Sequence, residues 1–168
     1  RRTYQLIVAD ADGENPKVIA QSSRPIMSPS WSPDGTTLAY VSFENKSAAV
    51  YTQVLRTNEL KRVSARAGVN NAPSWSPDGR KLALALSQKD GNVDIHVLNL
   101  ADLSVTRLTR DNAIDTEPVW SPDGKTIYFT SDRSGSAQIY RVDAVSGEPA
   151  RRVTFDGSYN PRPRISPD

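Results

Sequence analysis

The five-residue segment Trp-Ser-Pro-Asp-Gly occurs three times in this chain, beginning at Trp31, Trp75 and Trp120, and a fourth, related copy begins at Ile165. The copies follow one another at intervals of about 45 residues, a period typical of the four-stranded blades of a β-propeller. A proline stands two positions before each copy, at Pro29, Pro73, Pro118 and Pro163. We therefore predict a chain built from repeats of one supersecondary unit.

The Ser-Pro-Asp-Gly part of each copy predicts a tight turn between the first two strands of a blade. Proline suits the second position of a type I turn, aspartate is accepted at the third, and glycine supplies the left-handed residue of a hairpin with a bulge. Each tryptophan ends the strand that enters the turn, where its ring can fill the wedge between neighbouring blades. We interpret the segment as structural rather than as ligand-binding.

Short runs rich in β-branched and aromatic residues follow each copy, which favours strands over helices. The predicted fold is all-β: a single domain over residues 1–168, in which four-stranded antiparallel blades form part of a β-propeller. We place full blades at about 28–64, 72–109 and 117–154, a partial blade at 4–20 and the first strand of a further blade at 161–165. Because propellers close with about four to eight blades, we expect an arc cut from a larger ring, with open blade edges that could self-associate.

The composition argues against several classes of function. The chain has no cysteine and one histidine, His96, so neither a zinc–cysteine site nor a histidine-based triad is expected. His96 corresponds to Tyr140 in the next blade, which predicts a buried aromatic position. The segment Asp10–Asn15 lacks the ligands of a calcium loop and predicts a hairpin turn. The 21 basic and 19 acidic residues are spread along the chain. We expect no catalysis, cofactor, metal, nucleic-acid partner or membrane insertion.

The residues just before the prolines vary between repeats, whereas the scaffold positions agree. In a propeller they lie where the outermost strand of one blade crosses to the innermost strand of the next, around one mouth of the channel. The loops at 44–46, 88–90 and 132–134 should open on the same face, and loops on a rigid scaffold commonly bind partners. The predicted protein-binding residues are Asn70, Asn71, Ala72, Asp115, Thr116, Glu117, Met27, Ser28, Asn160 and Arg162.

The connecting segments carry a resemblance to a known family. The runs "RPIMSPSWSPDGTTLAYVSFE", "NNAPSWSPDGRKLALALS", "TEPVWSPDGKTIYFTSDRSG" and "RRVTFDGSYN" resemble the TolB family over essentially the whole chain. The resemblance implies a six-bladed propeller, a periplasmic location and a non-enzymatic role in the Tol–Pal system, which supports outer-membrane integrity and cell division. It implies binding of the lipoprotein Pal and of colicin translocation segments at the propeller mouth, and of other Tol proteins through an N-terminal region that precedes the propeller.

The same resemblance carries binding roles to Ala72 in "NNAP" and to Thr116 and Glu117 in "TEPVW". Some family members have a histidine in the segment leading to Ala72, whereas here that segment reads "ARAGVNNAP". A histidine-mediated contact is therefore not expected at this position.

Two other hypotheses remain open from the sequence. Prolyl-oligopeptidase-type serine peptidases use similar turns in a propeller that gates substrate access, beside a separate catalytic domain with serine, aspartate and histidine. The connecting segments favour the TolB-like hypothesis over this one. Alternatively, the chain is a fragment whose copies join head to tail, residues 161–165 of one copy meeting residues 4–20 of the next.

Overall fold

The computed structural model describes residues 2–87 and 91–166, and its regular elements in this part are all β-strands. The strands are β1 (Tyr4–Val8), β2 (Lys17–Ser22), β3 (Ile26–Trp31), β4 (Thr37–Ser42), β5 (Ala49–Val54), β6 (Leu60–Ser64), β7 (Asn70–Trp75), β8 (Lys81–Ser87), β9 (Val93–Asn99), β10 (Val105–Arg107), β11 (Asp115–Trp120), β12 (Thr126–Ser131), β13 (Gln138–Asp143) and β14 (Gly147–Arg152). No helix in the described ranges has the length and hydropathy needed to cross a membrane.

Antiparallel pairing groups the strands into blades. β1 and β2 form a two-stranded sheet, and β3–β6, β7–β10 and β11–β14 form three four-stranded sheets in which neighbouring strands are consecutive in the chain. Three apolar clusters fill the spaces between successive sheets. The predicted fold class, a partial β-propeller of four-stranded blades, is confirmed.

The Ser-Pro-Asp-Gly turns have the predicted geometry. Gly35 N donates to the carbonyl oxygen of Ser32 at 2.9 Å, and Gly35 has a φ of 68°. The carboxylate of Asp34 accepts bonds from Ser32 Oγ at 2.5 Å and from Thr36 N at 3.1 Å, and these bonds hold the pKa of Asp34 below its usual value. The same contacts recur at Ser76–Gly79 and Ser121–Gly124. Each turn is thus closed by bonds within a few residues.

Two of the three repeat tryptophans pack between blades as predicted. Trp120 lies in one apolar cluster with Ala83 and Ile95 of the preceding blade, and Trp75 packs against the cluster before it. Trp31 differs, because it is 50% exposed. Within residues 2–87 and 91–166 the sheet that precedes it consists of β1 and β2, so no innermost strand there faces the Trp31 ring.

His96 occupies the predicted aromatic position, and it is buried. It lies on β9 opposite Leu84 of β8 and Arg107 of β10. Tyr140 has the same place on β13, opposite Phe129 of β12 and Arg152 of β14. Burial lowers the pKa of His96 to about 4. The residue belongs to the core of its blade and does not face the propeller mouth.

The first strands begin earlier than predicted. Backbone pairing starts at Ile26, Asn70 and Asp115, because residues before each proline still pair with the second strand before the register shifts. Most of the predicted binding residues therefore lie within β3, β7 and β11 rather than in crossing loops. This corrects their predicted secondary structure.

Residues 161–165 differ from the prediction, because the structure assigns them to no strand. A strand needs a neighbour for its backbone hydrogen bonds, and within the described ranges no further strand pairs with this segment. It is held instead by Asn160 N, which donates to Ala137 O at 2.8 Å, and by Arg162 N, which donates to Thr130 Oγ1 at 3.0 Å.

Candidate binding rim at the propeller mouth

The starts of the first strands and the loops after the second strands meet on one face of the arc. Phe43 N donates to Pro25 O at 3.1 Å, Ser87 N donates to Val69 O at 3.1 Å, and Ile114 N donates to Asp132 Oδ1 at 2.8 Å. The predicted loops at 44–46 and 132–134 therefore adjoin the pre-proline segments. The third predicted loop, residues 88–90, lies outside the described residues.

In every repeat the residue before the proline has a left-handed backbone. Ser28, Ala72, Glu117 and Arg162 have φ values of 52°, 51°, 53° and 58°. Such values are uncommon outside glycine, and each costs roughly 1–3 kcal/mol, so it persists only where the surrounding fold imposes it. In β3, β7 and β11 this residue lies at the register shift between first and second strands. We call these four residues the rim residues.

The first rim residue is tied to the following blade by its side chain. Ser28 Oγ donates to Asn71 Oδ1 at 3.0 Å, and the same oxygen accepts a bond from Ala72 N at 2.8 Å. Asn71 therefore joins the first and second full blades at the rim. Met27, next to Ser28, is 42% exposed and lies beside this contact.

The third rim residue is tied to the fourth by an ion pair. Arg162 Nε donates to Glu117 Oε1 at 2.6 Å, and the side chains are 75% and 27% exposed respectively. Thr130 Oγ1 donates to the other carboxylate oxygen of Glu117 at 3.1 Å and accepts the bond from Arg162 N. Glu117, Thr130 and Arg162 thus form a closed triangle of polar contacts.

The second rim residue has no comparable means of contact. Ala72 carries only a methyl group, so its side chain cannot bond to the following blade. The residue that corresponds to Asn71 in that blade is Thr116, which is half-buried on β11. The junction between Ala72 and Thr116 is therefore the one described rim junction that side-chain chemistry leaves open.

A cleft of about 500 Å³ opens beside Glu117. Its walls include Thr116 and the rim residues Glu117 and Arg162. They also include the hydrophobic side chains of Ile114 and Tyr159, which are 55% and 69% exposed. Three of the predicted binding residues thus line one cleft.

Three other predicted residues lie behind the rim and brace it. Asn70 is 1% exposed, and its Oδ1 accepts bonds from Ser64 Oγ at 2.7 Å and Arg66 N at 3.1 Å. Asp115 is buried and pairs with Arg133 at 2.8 Å. Asn160 Nδ2 donates to Gln138 Oε1 at 3.0 Å and to Asp156 O at 2.7 Å. These side chains fix the crossing segments and do not present polar groups to solvent in the way Glu117 does.

Thr130, Ile114 and Tyr159 were not predicted from the sequence, and Arg133 was predicted only as part of the loop at 132–134. Arg133 lies over the rings of Tyr140 at 4.9 Å and Phe129 at 5.6 Å, and it offsets the burial that raises the pKa of Asp115. The segment "TSDRSG" does not identify the ion-pair partners of Arg133, since Asp115 and Glu148 lie on β11 and β14. Tyr159 could have been predicted from the sequence, because it is an aromatic residue directly before the predicted binding residue Asn160.

The rim and the adjoining cleft combine charged and hydrophobic side chains. In the part of the chain that the structure describes, no group of three or more histidine, cysteine, aspartate or glutamate side chains is placed to hold a metal ion. The rim residues Glu117 and Arg162 offer one carboxylate and one guanidinium, and the cleft adds the carboxylate of Asp132 and the side chains of Ile114 and Tyr159.

Comparisons with known proteins agree with this architecture. A family described as "TolB beta propeller domain" matches residues 1–168. The Tol-Pal system protein TolB of Bordetella pertussis (strain Tohama I) is 53% identical over 147 residues, which cover 87% of this chain and 33% of that protein. The crystal structure of TolB from Acinetobacter baumannii superposes with a TM-score of 0.89 at 47% identity, covering 95% of this chain and 39% of that chain. The chain spans about a third of the length of the curated relative.

Proposed function

The chain belongs to the TolB β-propeller domain family, and from that membership we propose that it is the propeller portion of a Tol–Pal system protein, binding the outer-membrane lipoprotein Pal at the rim. The proposed role is non-enzymatic and periplasmic, in support of outer-membrane integrity and cell division. Colicin translocation segments would use the same rim. Other Tol proteins would contact parts of the longer protein outside the propeller.

The open junction at Ala72 is the observation that supports this proposal most directly. The neighbouring rim junctions are occupied by the Ser28–Asn71 bond and the Glu117–Arg162 pair. At Ala72 the left-handed backbone is retained, yet the methyl side chain offers no hydrogen bond or ion pair to the following blade. Strained backbone residues cluster at binding sites, and here one stands at the rim in every repeat. The adjoining cleft supplies apolar walls and a carboxylate for a partner's side chains.

Isothermal titration calorimetry with purified Pal tests the proposal. Ala72→Trp should fill the open junction, and Glu117→Lys should reverse the charge of the rim, so each variant should weaken binding at least about ten-fold, the cost of a lost buried contact or charge pair.

Matched controls lie in turns between third and fourth strands, at the opposite end of the blades. Ala101→Trp adds the same ring at an exposed site, and Glu59→Lys makes the same charge change. Both controls should bind Pal as the parent does. Parent-like affinity in both rim variants would show that Pal does not bind at this rim.

The peptidase hypothesis has less support. The family matched over residues 1–168 is the TolB propeller, and the connecting segments between the repeated turns also favour that family.

A further inference from the structure

Glu117 already holds a basic side chain, and that side chain comes from the next repeat. The contact joins residues 45 positions apart and uses Nε of Arg162. The carboxylate is oriented on its other side by the Thr130 hydroxyl. Glu117 is thus presented to a cation in a fixed position before any partner arrives.

The exposure of the two side chains allows the Arg162 guanidinium to leave the Glu117 carboxylate. Arg162 is 75% exposed, whereas Glu117 is 27% exposed and anchored by Thr130. Ion pairs this open to solvent add little to stability, because water and salt compensate for their loss. The carboxylate therefore stays in place while the guanidinium can exchange with solvent.

The cleft around the pair favours a cation over other occupants. Among the described residues that line it, Glu117 and Asp132 are carboxylates and Arg162 is a cation. Displacing Arg162 from Glu117 would leave the cleft with acidic groups between the apolar walls of Ile114 and Tyr159. A long basic side chain matches both features, because its methylene stem contacts apolar surface while its charged end meets a carboxylate.

We propose that the cleft beside Glu117 receives an arginine or lysine side chain from the bound partner, and that Arg162 occupies the same carboxylate when no partner is bound. Arg162 is then an internal competitor that sets how strongly the rim binds basic segments, and Thr130 is the positioning residue for Glu117. The inference rests on the proposed function for the identity of the partner, but the chemistry of the cleft can be tested without Pal.

The test is an NMR titration of this chain with two small probes. Nα-acetyl-L-arginine amide carries the predicted cation, and Nα-acetyl-L-citrulline amide is its neutral isostere. The reporters are the methyl groups of Ile114 and the backbone amide of Thr116, both in the cleft. The arginine probe should shift these signals and the citrulline probe should not.

Three variants separate competition from general charge effects. Glu117→Gln should abolish the arginine-dependent shifts. Arg162→Gln should tighten binding of the arginine probe about two- to five-fold, the factor expected on removing an exposed ion pair. Arg164→Gln makes the same charge change two residues away on the same exposed segment and should leave the affinity unchanged.

Several results would overturn the inference: equal shifts with both probes, unchanged binding in Glu117→Gln, or weaker binding in Arg162→Gln. Unperturbed amide signals in β7–β9 would show that each variant is folded. Binding of the arginine probe without binding of Pal would reject the proposed function and retain the cleft. Binding of Pal without binding of the arginine probe would reject the proposed role of the cleft and retain the proposed function.

Discussion

The indole nitrogen of Trp120 donates a hydrogen bond to the backbone carbonyl oxygen of Ser74 at 3.1 Å, and so ties the third full blade to the innermost strand of the second. Trp75 makes the same bond to Ser30 O at 3.1 Å, one blade earlier. Each bond joins the repeat tryptophan of one blade to the residue just before the repeat tryptophan of the preceding blade. The repeated segment thus closes a hairpin within its blade and docks that blade on its neighbour.

Replacing the repeat tryptophans should have unequal effects on stability. Trp120→Ala removes a buried ring and should cost about 3–5 kcal/mol of unfolding free energy, whereas Trp120→Phe loses chiefly the indole bond and should cost about 1–2 kcal/mol. Trp31→Ala should cost much less, because that ring is 50% exposed. Urea unfolding followed by circular dichroism measures all three. Equal losses for Trp31→Ala and Trp120→Ala would contradict the assignment of Trp120 as the blade-to-blade contact.

The buried His96 should make stability depend on pH in the weakly acidic range. Its pKa is about 4 in the folded chain, against an ordinary value of 6.5, so the unfolded chain binds more protons between these values. The contribution of His96 to the free energy of unfolding is therefore fully present above about pH 6.5. It falls as the pH drops towards 4, with a limiting slope of about 1.4 kcal/mol per pH unit.

The matched variant for this prediction is His96→Tyr, which places at this position the residue found at Tyr51 and Tyr140. Urea unfolding of both proteins at several pH values between 4.5 and 7.5, a range set by the ordinary and lowered pKa, gives the difference in slope. The parent should lose stability faster than the variant as the pH falls. Parallel curves would mean that His96 is protonated equally in the folded and unfolded chains.

Asn70 should matter for stability more than its neighbour Asn71. Asn70→Ala leaves the buried Ser64 hydroxyl and the Arg66 backbone groups without their partner and should cost about 1–3 kcal/mol. Asn71→Ala removes the half-buried contact with Ser28 and should cost about 1 kcal/mol or less. Thermal unfolding ranks the two variants, and amide hydrogen exchange in residues 65–70 should rise only in Asn70→Ala. The reverse ranking would show that Asn70 does not brace the crossing segment.

Gly147 is required at its position for two separate reasons. Its φ is 73°, and an added Cβ would fall within 3 Å of backbone atoms of Leu108 in the preceding blade. Gly135, in the same blade, has a φ of 89° but open space around a Cβ. Gly135→Ala should therefore cost about 1–2 kcal/mol from backbone strain alone. Gly147→Ala should cost at least about 1–3 kcal/mol more, because a packed backbone has to move. Similar urea midpoints for the two variants would show that the contact with Leu108 relaxes freely.

The blade pattern is predictable from sequence because its signals are local. The turn from Ser32 to Thr37 contains both the residues that form it and the partners they bond, so its sequence is sufficient to identify it. The all-β class and the repeat of four strands follow from such turns at a fixed interval. The same reasoning predicted the aromatic position of His96, since the repeat aligns it with Tyr140.

The roles of individual residues at and behind the rim could not be predicted from the sequence. Asn70 and Ala72 stand close together in one short segment, yet one braces the fold from within and the other leaves a junction open. Simple alternation would place both on one face of the strand, but the register shift with its left-handed residue at Ala72 separates them, and this shift is not apparent from the letters "NNAP". The loop assignment of these residues failed for the same reason, because strand pairing continues up to the bulge.

By itself, then, the sequence determined the repeat, the turn that closes each hairpin, the strand order within each blade and the segments that reach the propeller mouth. Only the tertiary structure decided which of those side chains meet. Glu117 and Arg162 are separated by a whole repeat, and they come within 2.6 Å because successive blades are rotated about a common axis. Hydrogen bonds within a turn depend on neighbouring residues, whereas contacts at the rim depend on how the blades pack, and that packing is set by the buried clusters between them.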